Sequence, residues 1–256
     1  SEVQTRAATK VDYLADTRDK LALVKFEQSQ DGVGLAVLTK DGQFDVFELT
    51  ENAHRQIATW TGIPWQYYGR MLKEYRDLIL ENVNGIFKQE PGIRMVRTLG
   101  GKCRAFLSDK FRRLDNDMVL AKTLPALVGK NGGIPPNKVL ANHITDDDMR
   151  IKVVFTDDSL VQDCGELPRG QGRDTVLPGF EIGNSETGKG SLYVRGFFFR
   201  DYCENGCIYQ FGEDTLSYSR HHLGGRLKVA AGITILSEDT MRKDDAAIVG
   251  ALTDVM

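Results

Sequence analysis

The chain has 256 residues and a mass of 28.6 kDa, with 41% hydrophobic and 27% charged residues. It is too apolar for a disordered protein and large enough to bury a core without disulfide staples. Thirty-three basic residues against 36 acidic ones give a net charge of -3, which excludes a wholly basic nucleic-acid protein but leaves room for a local basic face.

Along the chain, Val33–Leu38 and Phe44–Leu49 are β-prone runs joined by Thr39-Lys40-Asp41-Gly42. The Asp-Gly pair predicts a tight hairpin turn. Thr50 is placed to cap a helix running to Trp60, with Ala53, Ile57 and Trp60 on one face. Pro64 suits the first turn of a second helix, whose apolar positions run from Tyr67 to Ile79. Ile93–Leu99 and Cys103–Leu107 flank Gly100-Gly101, a second hairpin signal. Asp115 or Asn116 caps a helix to about Val128.

Val139–Ile144 and Ile151–Thr156 read as strands around an acidic turn, Asp146-Asp147-Asp148. Asp163–Pro178, rich in Gly, Pro and charge, reads as a long mobile loop. Strands Phe180–Ser185 and Ser191–Arg200 follow, then a short strand at Cys207–Phe211 and a last helix from Ser237 or Glu238 to about Leu252. Hairpins with segregated helices predict an α+β fold, antiparallel hairpins forming a curved sheet packed against helices. The reading is one domain over 1–256, with an N-terminal subregion 1–90 and a mobile loop at 163–178. Regular β-α alternation, the mark of a doubly wound parallel sheet, is missing.

The longest apolar run, Val229–Leu236, is broken by Gly232 and Thr234, well short of the ~20 residues a membrane span needs. Ser1-Glu2-Val3-Gln4 lacks the apolar region of a secretory signal, and four dispersed cysteines do not form a disulfide framework. These features point to a reducing cytoplasm.

Arg94–Arg113 is locally basic. Read with strand periodicity, Lys102, Arg104 and Phe106 share one face, and Cys103, Ala105 and Leu107 the other. Two cations beside an aromatic suit a phosphate backbone and a stacked base; the alternative is a solvated hairpin whose cations pair with nearby carboxylates. In Ser191–Arg200 the same logic groups Tyr193, Arg195, Phe197 and Phe199. Those aromatics serve either a core, an interface or a stacked base.

Gly183–Lys189 matches the spacing of a phosphate loop, but Gly190 stands where Ser or Thr is required, and a strand rather than a helix follows. A hairpin turn with Lys189 at its tip is the better reading. Cys203 and Cys207 with His221 and His222 raise a zinc site without a second cysteine pair. The acidic turns at 146–148 and 157–158, with His143, raise a metal-dependent enzyme. No nucleophile elbow is present, and the reading carries no metal, no cofactor and no catalytic residue.

Two long segments, Val96–Asn116 and Ile182–Arg195, together with Arg200–Gly206, resemble an uncharacterised phage/plasmid-like family of prophages and mobile plasmids. The resemblance extends from about Leu49 to Gly225 and implies a mobile-element context but no activity. By architectural analogy, that context and the hairpin pattern fit a Rad52-like single-strand annealing protein, which implies a homo-oligomer holding DNA in a basic groove. The resulting expectation is a non-enzymatic single-stranded DNA-binding and annealing protein in the cytoplasm of a bacterial host. Lys102, Arg104, Lys110, Arg112 and Arg113 would contact phosphates, Lys189, Arg195 and Arg200 would extend the track, and Phe106 and Tyr193 would stack bases. The alternatives are a module binding a host or phage protein, with an exposed apolar patch around Phe197–Phe199, and the metal-dependent enzyme.

Overall fold

The computed structural model describes residues 8–126, 137–166 and 173–200, together with the backbone of 207–209, 217–220 and 234–235. The elements in chain order begin with β1 (Lys10–Asp16), β2 (Leu21–Lys25), β3 (Val33–Leu38) and β4 (Phe44–Leu49). Helices α1 (Glu51–Trp60), α2 (Trp65–Glu74) and α3 (Arg76–Gln89) precede β5 (Ile93–Leu99) and β6 (Lys102–Ser108). Then come α4 (Asn116–Ala126), β7 (Asn137–Ile144), β8 (Asp148–Phe155), β9 (Gln162–Glu166), β10 (Arg173–Ser185) and β11 (Leu192–Arg200). The short strands β12 (Cys207–Tyr209), β13 (Ser217–Arg220) and β14 (Thr234–Ile235) complete the set.

The fold is α+β, with two mostly antiparallel sheets. The first runs β14-β1-β5-β6-β4-β3-β2; its β4–β6 pair is parallel. The second runs β12-β11-β10-β8-β7, with β13 paired to β11 and β9 to β10. The described residues fall into two compact units, one reaching Arg112 and including β14, the other beginning at Arg113 and reaching β13.

In the first unit the hairpins form where turn chemistry allows. Gly100 and Gly101 take φ of 57° and 82° between β5 and β6, left-handed values that side chains with a Cβ resist. Thr50 caps α1, its side chain accepting from the Ala53 N–H. The single helix expected after Pro64 is two, because Tyr75 leaves helical geometry (φ -139°, ψ 54°) and α3 restarts at Arg76. Leu21, Leu23, Leu35 and Val37 of the sheet pack with Ile57, Tyr68, Ile79, Val83 and Phe87 of the helices. Each such side chain contributes roughly 2 kcal/mol by leaving water.

Strands β1 and β2 have no counterpart in the sequence reading. Asp12, in the middle of β1, is buried and accepts two bonds of 3.0 Å from Arg97 on β5. The pair is bidentate and shielded from solvent, so the charge that hides β1 in the sequence is neutralised by a distant partner.

In the second unit, Met149, Val153, Phe180, Ile182, Leu192 and Val194 form one sheet face and pack with Leu114 and Val119. The α4 N-terminus is tied to the end of β10 and the residue after it: the Asn184 amide donates to Leu114 O (2.6 Å), and the Asn116 N–H donates to Glu186 (2.7 Å). Within the expected loop at 163–178, the described residues 163–166 and 173–178 are extended. Residues 162–166 form β9, residues 173–185 form β10, and the two pair with a bulge at Asp174/Thr175. Pairing fixes backbone that composition alone assigns to a loop. The expected helix at 237–252, and Cys203, His221 and His222 of the zinc reading, lie outside the described residues, as does the Cys207 side chain. Among the described residues, no helix is long and apolar enough to cross a membrane.

Candidate nucleic-acid interface

The ten residues singled out from the sequence divide between the two units. In the first unit, Lys102 is exposed and bridged to Glu48 at 3.0 Å, and Lys110 is exposed. Arg104 is only 2% exposed and Phe106 is fully buried. The exposed face expected from Lys102, Arg104 and Phe106 therefore does not exist.

Two features remove that face: both faces of β6 are covered, and the β5–β6 ladder carries a one-residue irregularity. Arg97 pairs with Ala105 and Thr98 with Cys103, so Arg104 is the extra residue of a bulge. Strand alternation breaks there. Cys103 and Phe106 join the helix-covered core, while Ala105 and Leu107 belong to a separate cluster with Met95 and Phe111. Phe106 stacks on Phe87 (centroids 5.7 Å apart) and lies edge-on to Trp60. Arg112 and Arg113 are half-buried and engaged.

In the second unit, Lys189 forms an ion pair with Asp147, and Arg200 pairs with Asp174 at 2.8 Å. Both cations are already neutralised. Tyr193 and Arg195 stand differently, on the sheet face opposite the core.

That face follows from an unbroken register. Glu181 of β10 lies across from Lys152 of β8 and Arg195 of β11, and Gly183 lies across from Arg150 and Tyr193. Alternation sends Phe180 and Ile182 inward, so Gly179, Glu181 and Gly183 face outward. A Cβ on Gly183 would sit 2.2 Å from the Tyr193 ring, and one on Gly179 2.7 Å from the Phe197 ring. The two rings thus lie across glycine backbone on the neighbouring strand, a close approach that any other residue would block.

Tyr193 Oη donates to Glu181 Oε1 at 2.8 Å. Burial raises the Tyr193 phenol above its ordinary value, and the bond to Glu181 raises it further, so the hydroxyl stays a donor. Lys152 Nζ and Arg150 Nε approach the same carboxylate at 3.4 and 3.5 Å. The Arg195 guanidinium lies over the Tyr193 ring, 4.4 Å from its centroid. Glu181 is only 6% exposed beneath this cover, whereas Arg195 and Arg150 are exposed. Two cations therefore reach one carboxylate, and a third, Arg195, stands opposite it on the neighbouring strand.

No family model matches the chain, and no match was found among curated proteins or solved structures. The assignment of a role rests on the geometry.

Arg150, Lys152 and Glu181 were not among the sequence candidates. Their signal was the alternation of Arg150 and Lys152 with Met149, Ile151 and Val153 along β8, readable only once the pairing with β10 and β11 is known. The acidic turn serves the fold. Asp147 holds Lys189 and accepts from Thr187 at 3.3 Å, while Asp148 accepts from Thr145 and lies 3.8 Å from His143. Among the described residues, no three His, Cys, Asp or Glu side chains converge as metal ligands.

Proposed function

We propose that this protein binds single-stranded DNA through the outward face of the second sheet, as a non-enzymatic annealing protein of a mobile element. The observation that carries the reading is the cluster of Arg150, Lys152 and Arg195 around Glu181, with two of the cations exposed and one lying on an aromatic ring. The cluster carries two positive charges in excess of its carboxylate. Such a face attracts a phosphate backbone, and a guanidinium supported by a ring offers its plane to an unpaired base.

The site differs from the one read in sequence. Tyr193 supports Arg195 rather than standing open as a stacking platform. Lys102, Lys189 and Arg200 each face a carboxylate of their own and add no net charge, whereas Arg150 and Lys152 share the single carboxylate of Glu181. Annealing would follow from holding a strand extended so that base pairing supplies the driving energy. Action as a homo-oligomer in a bacterial cytoplasm belongs to the same proposal.

Two observations set this reading above the alternatives. The protein-binding module relied on an exposed patch at Phe197–Phe199, and Phe197 is buried with its neighbours half-buried. The metal-enzyme reading relied on acidic turns whose Asp147 and Asp148 are committed to neighbouring side chains.

Fluorescence anisotropy of labelled single- and double-stranded oligonucleotides, titrated across salt concentrations with and without Mg²⁺, tests the proposal. Single strands should bind more tightly. Three phosphate contacts should give a slope of about -2 in the logarithm of the affinity against the logarithm of salt. Arg150→Glu with Arg195→Glu should abolish binding in a folded protein. Wild-type protein that leaves both oligonucleotides free at low salt, or a double variant that binds as well as wild type, rejects the proposal.

A further inference from the structure

The first unit holds a cavity of about 650 Å³ between α1, α2 and the turn before β3, open to solvent. Its volume is in the range of small-molecule sites. The reading of the second sheet makes no use of it.

Two of the carboxylates that line this cavity are set back from solvent. The least exposed of its carboxylates are Asp31 and Glu48, at 32% and 25% side-chain exposure. The cations Arg70 and Lys73 lie at the rim; Arg70 is 66% exposed and tied to Glu74 at 2.9 Å. The exposed rim carries both signs, Glu51 and Glu74 beside Arg70 and Lys73, whereas the two less exposed carboxylates stand within.

Asp31 is a fixed carboxylate. Its Oδ1 accepts from the Val33 N–H (3.0 Å) and from Ser29 Oγ (3.2 Å). Its Oδ2 lies 2.6 Å from Nε2 of the buried His54, whose Nδ1 is 2.9 Å from Tyr68 Oη. Burial alone would raise the Asp31 carboxyl, but the His54 contact and these two donors more than offset it and hold the group below its ordinary value. The chain from Tyr68 through His54 thus ends in an oriented anion facing the cavity. Glu48 stands near the same space, bridged to Lys102.

A second observation is independent of charge. Gly69 lines the cavity from the middle of α2, where glycine costs about 1 kcal/mol relative to alanine. A Cβ added there meets nothing within 4 Å. Packing within the protein does not require this glycine. Its effect is to leave bare helix backbone as part of the cavity wall, beside the apolar side chains of Trp65 and Leu72.

We propose that this cavity binds a small organic cation, a primary ammonium on a short apolar body, with the ammonium at Asp31 and the body along Gly69 and Leu72. The same ammonium chemistry is offered by a free amine and by a lysine side chain of a peptide.

The test is a titration of the nitrogen-15-labelled full chain, followed at the Trp65 indole and Gly69 amide resonances. The probes are phenethylammonium, its neutral counterpart 2-phenylethanol, and N-acetyl-lysine methylamide. Phenethylammonium should give saturable shifts, with the alcohol at least about tenfold weaker. Asp31→Asn should lose a similar factor. Gly69→Leu should abolish binding, and because leucine favours the helix and enters open space, its thermal midpoint should not fall. Tighter binding of the lysine derivative would place the ammonium on a peptide, and weaker binding on a free amine; both support the site. Wild-type protein without saturable shifts at millimolar cation, equal affinity for the alcohol, or undiminished binding by the folded Gly69→Leu variant overturns it.

Discussion

Glu181→Gln gives the sharpest test of the outward face of the second sheet, because it should improve binding. In the free protein the Glu181 carboxylate holds Lys152 at 3.4 Å and Arg150 at 3.5 Å. An approaching phosphate must compete with it for both cations. Arg150 is 55% exposed at its side chain, so its pair is screened, while Lys152 is 26% exposed and less so; together they contribute on the order of 1 kcal/mol. Removing the charge should release about 1 kcal/mol for binding, about fivefold in affinity. The glutamine oxygen can still accept from Tyr193, so the support for Arg195 should survive. Salt-dependent anisotropy with a labelled single strand measures the change, and a thermal melt checks the fold. A folded Glu181→Gln variant that binds no more tightly than wild type would show that these cations do not meet the phosphates.

Three further outcomes are expected. Phe106→Ala, which removes a ring stacked on Phe87, should cost about 3–5 kcal/mol in denaturant unfolding while leaving DNA affinity per folded molecule unchanged; lost affinity with retained stability would restore Phe106 as a DNA contact. Gly183→Ala should drive a methyl against the Tyr193 ring and cost roughly 1–3 kcal/mol, with the Tyr193 ring resonances shifted; an unperturbed ring would contradict the packing. The Asp31 carboxyl sits below its ordinary value of 3.8 in the folded state, so its contribution to stability is present above that value and is lost as pH falls through the lower, folded one. Asp31→Asn should therefore flatten the acid limb of a stability-against-pH curve below about pH 4, and an unchanged limb would remove Asp31 as its source.

Local chemistry made part of this fold legible. Asp-Gly and Gly-Gly marked two hairpins, and Thr50 marked the start of α1, because turn and cap preferences act over a few residues. The break at Tyr75 carries neither Gly nor Pro, so no local rule announced it. Strand β1 was obscured by Asp12, whose partner Arg97 lies 85 residues away; a charge reads as surface until its counter-ion is known. The described strands within 163–178 were hidden for the converse reason. Their Gly and Pro residues lower local strand propensity, yet pairing of β9 with β10 and of β10 with β11 supplies tertiary hydrogen bonds that outweigh it.

The two basic regions differ in the continuity of their ladders and in their cover, because β6 is buried on both faces, against the helices on one side and in the cluster of Met95 and Phe111 on the other. Each carries cations and aromatics at alternate positions, so each satisfies the same sequence pattern. Between β5 and β6 one extra residue, Arg104, inverts the alternation and delivers Phe106 to the core. Between β8, β10 and β11 the pairing runs without a shift from Gly179 to Gly183, so Arg150, Lys152 and Arg195 keep one side while Met149, Phe180, Ile182 and Val194 keep the other. A period of two makes every face assignment depend on the parity of the residues between it and its anchor. A bulge changes that parity without changing the composition of the strand. The ability of a strand to present positive charge to a polyanion is thus decided by its partner strands and by what covers them, and the outward face of the second sheet has what the β5–β6 hairpin lacks: three neighbouring strands in one register whose Arg150 and Arg195 reach solvent.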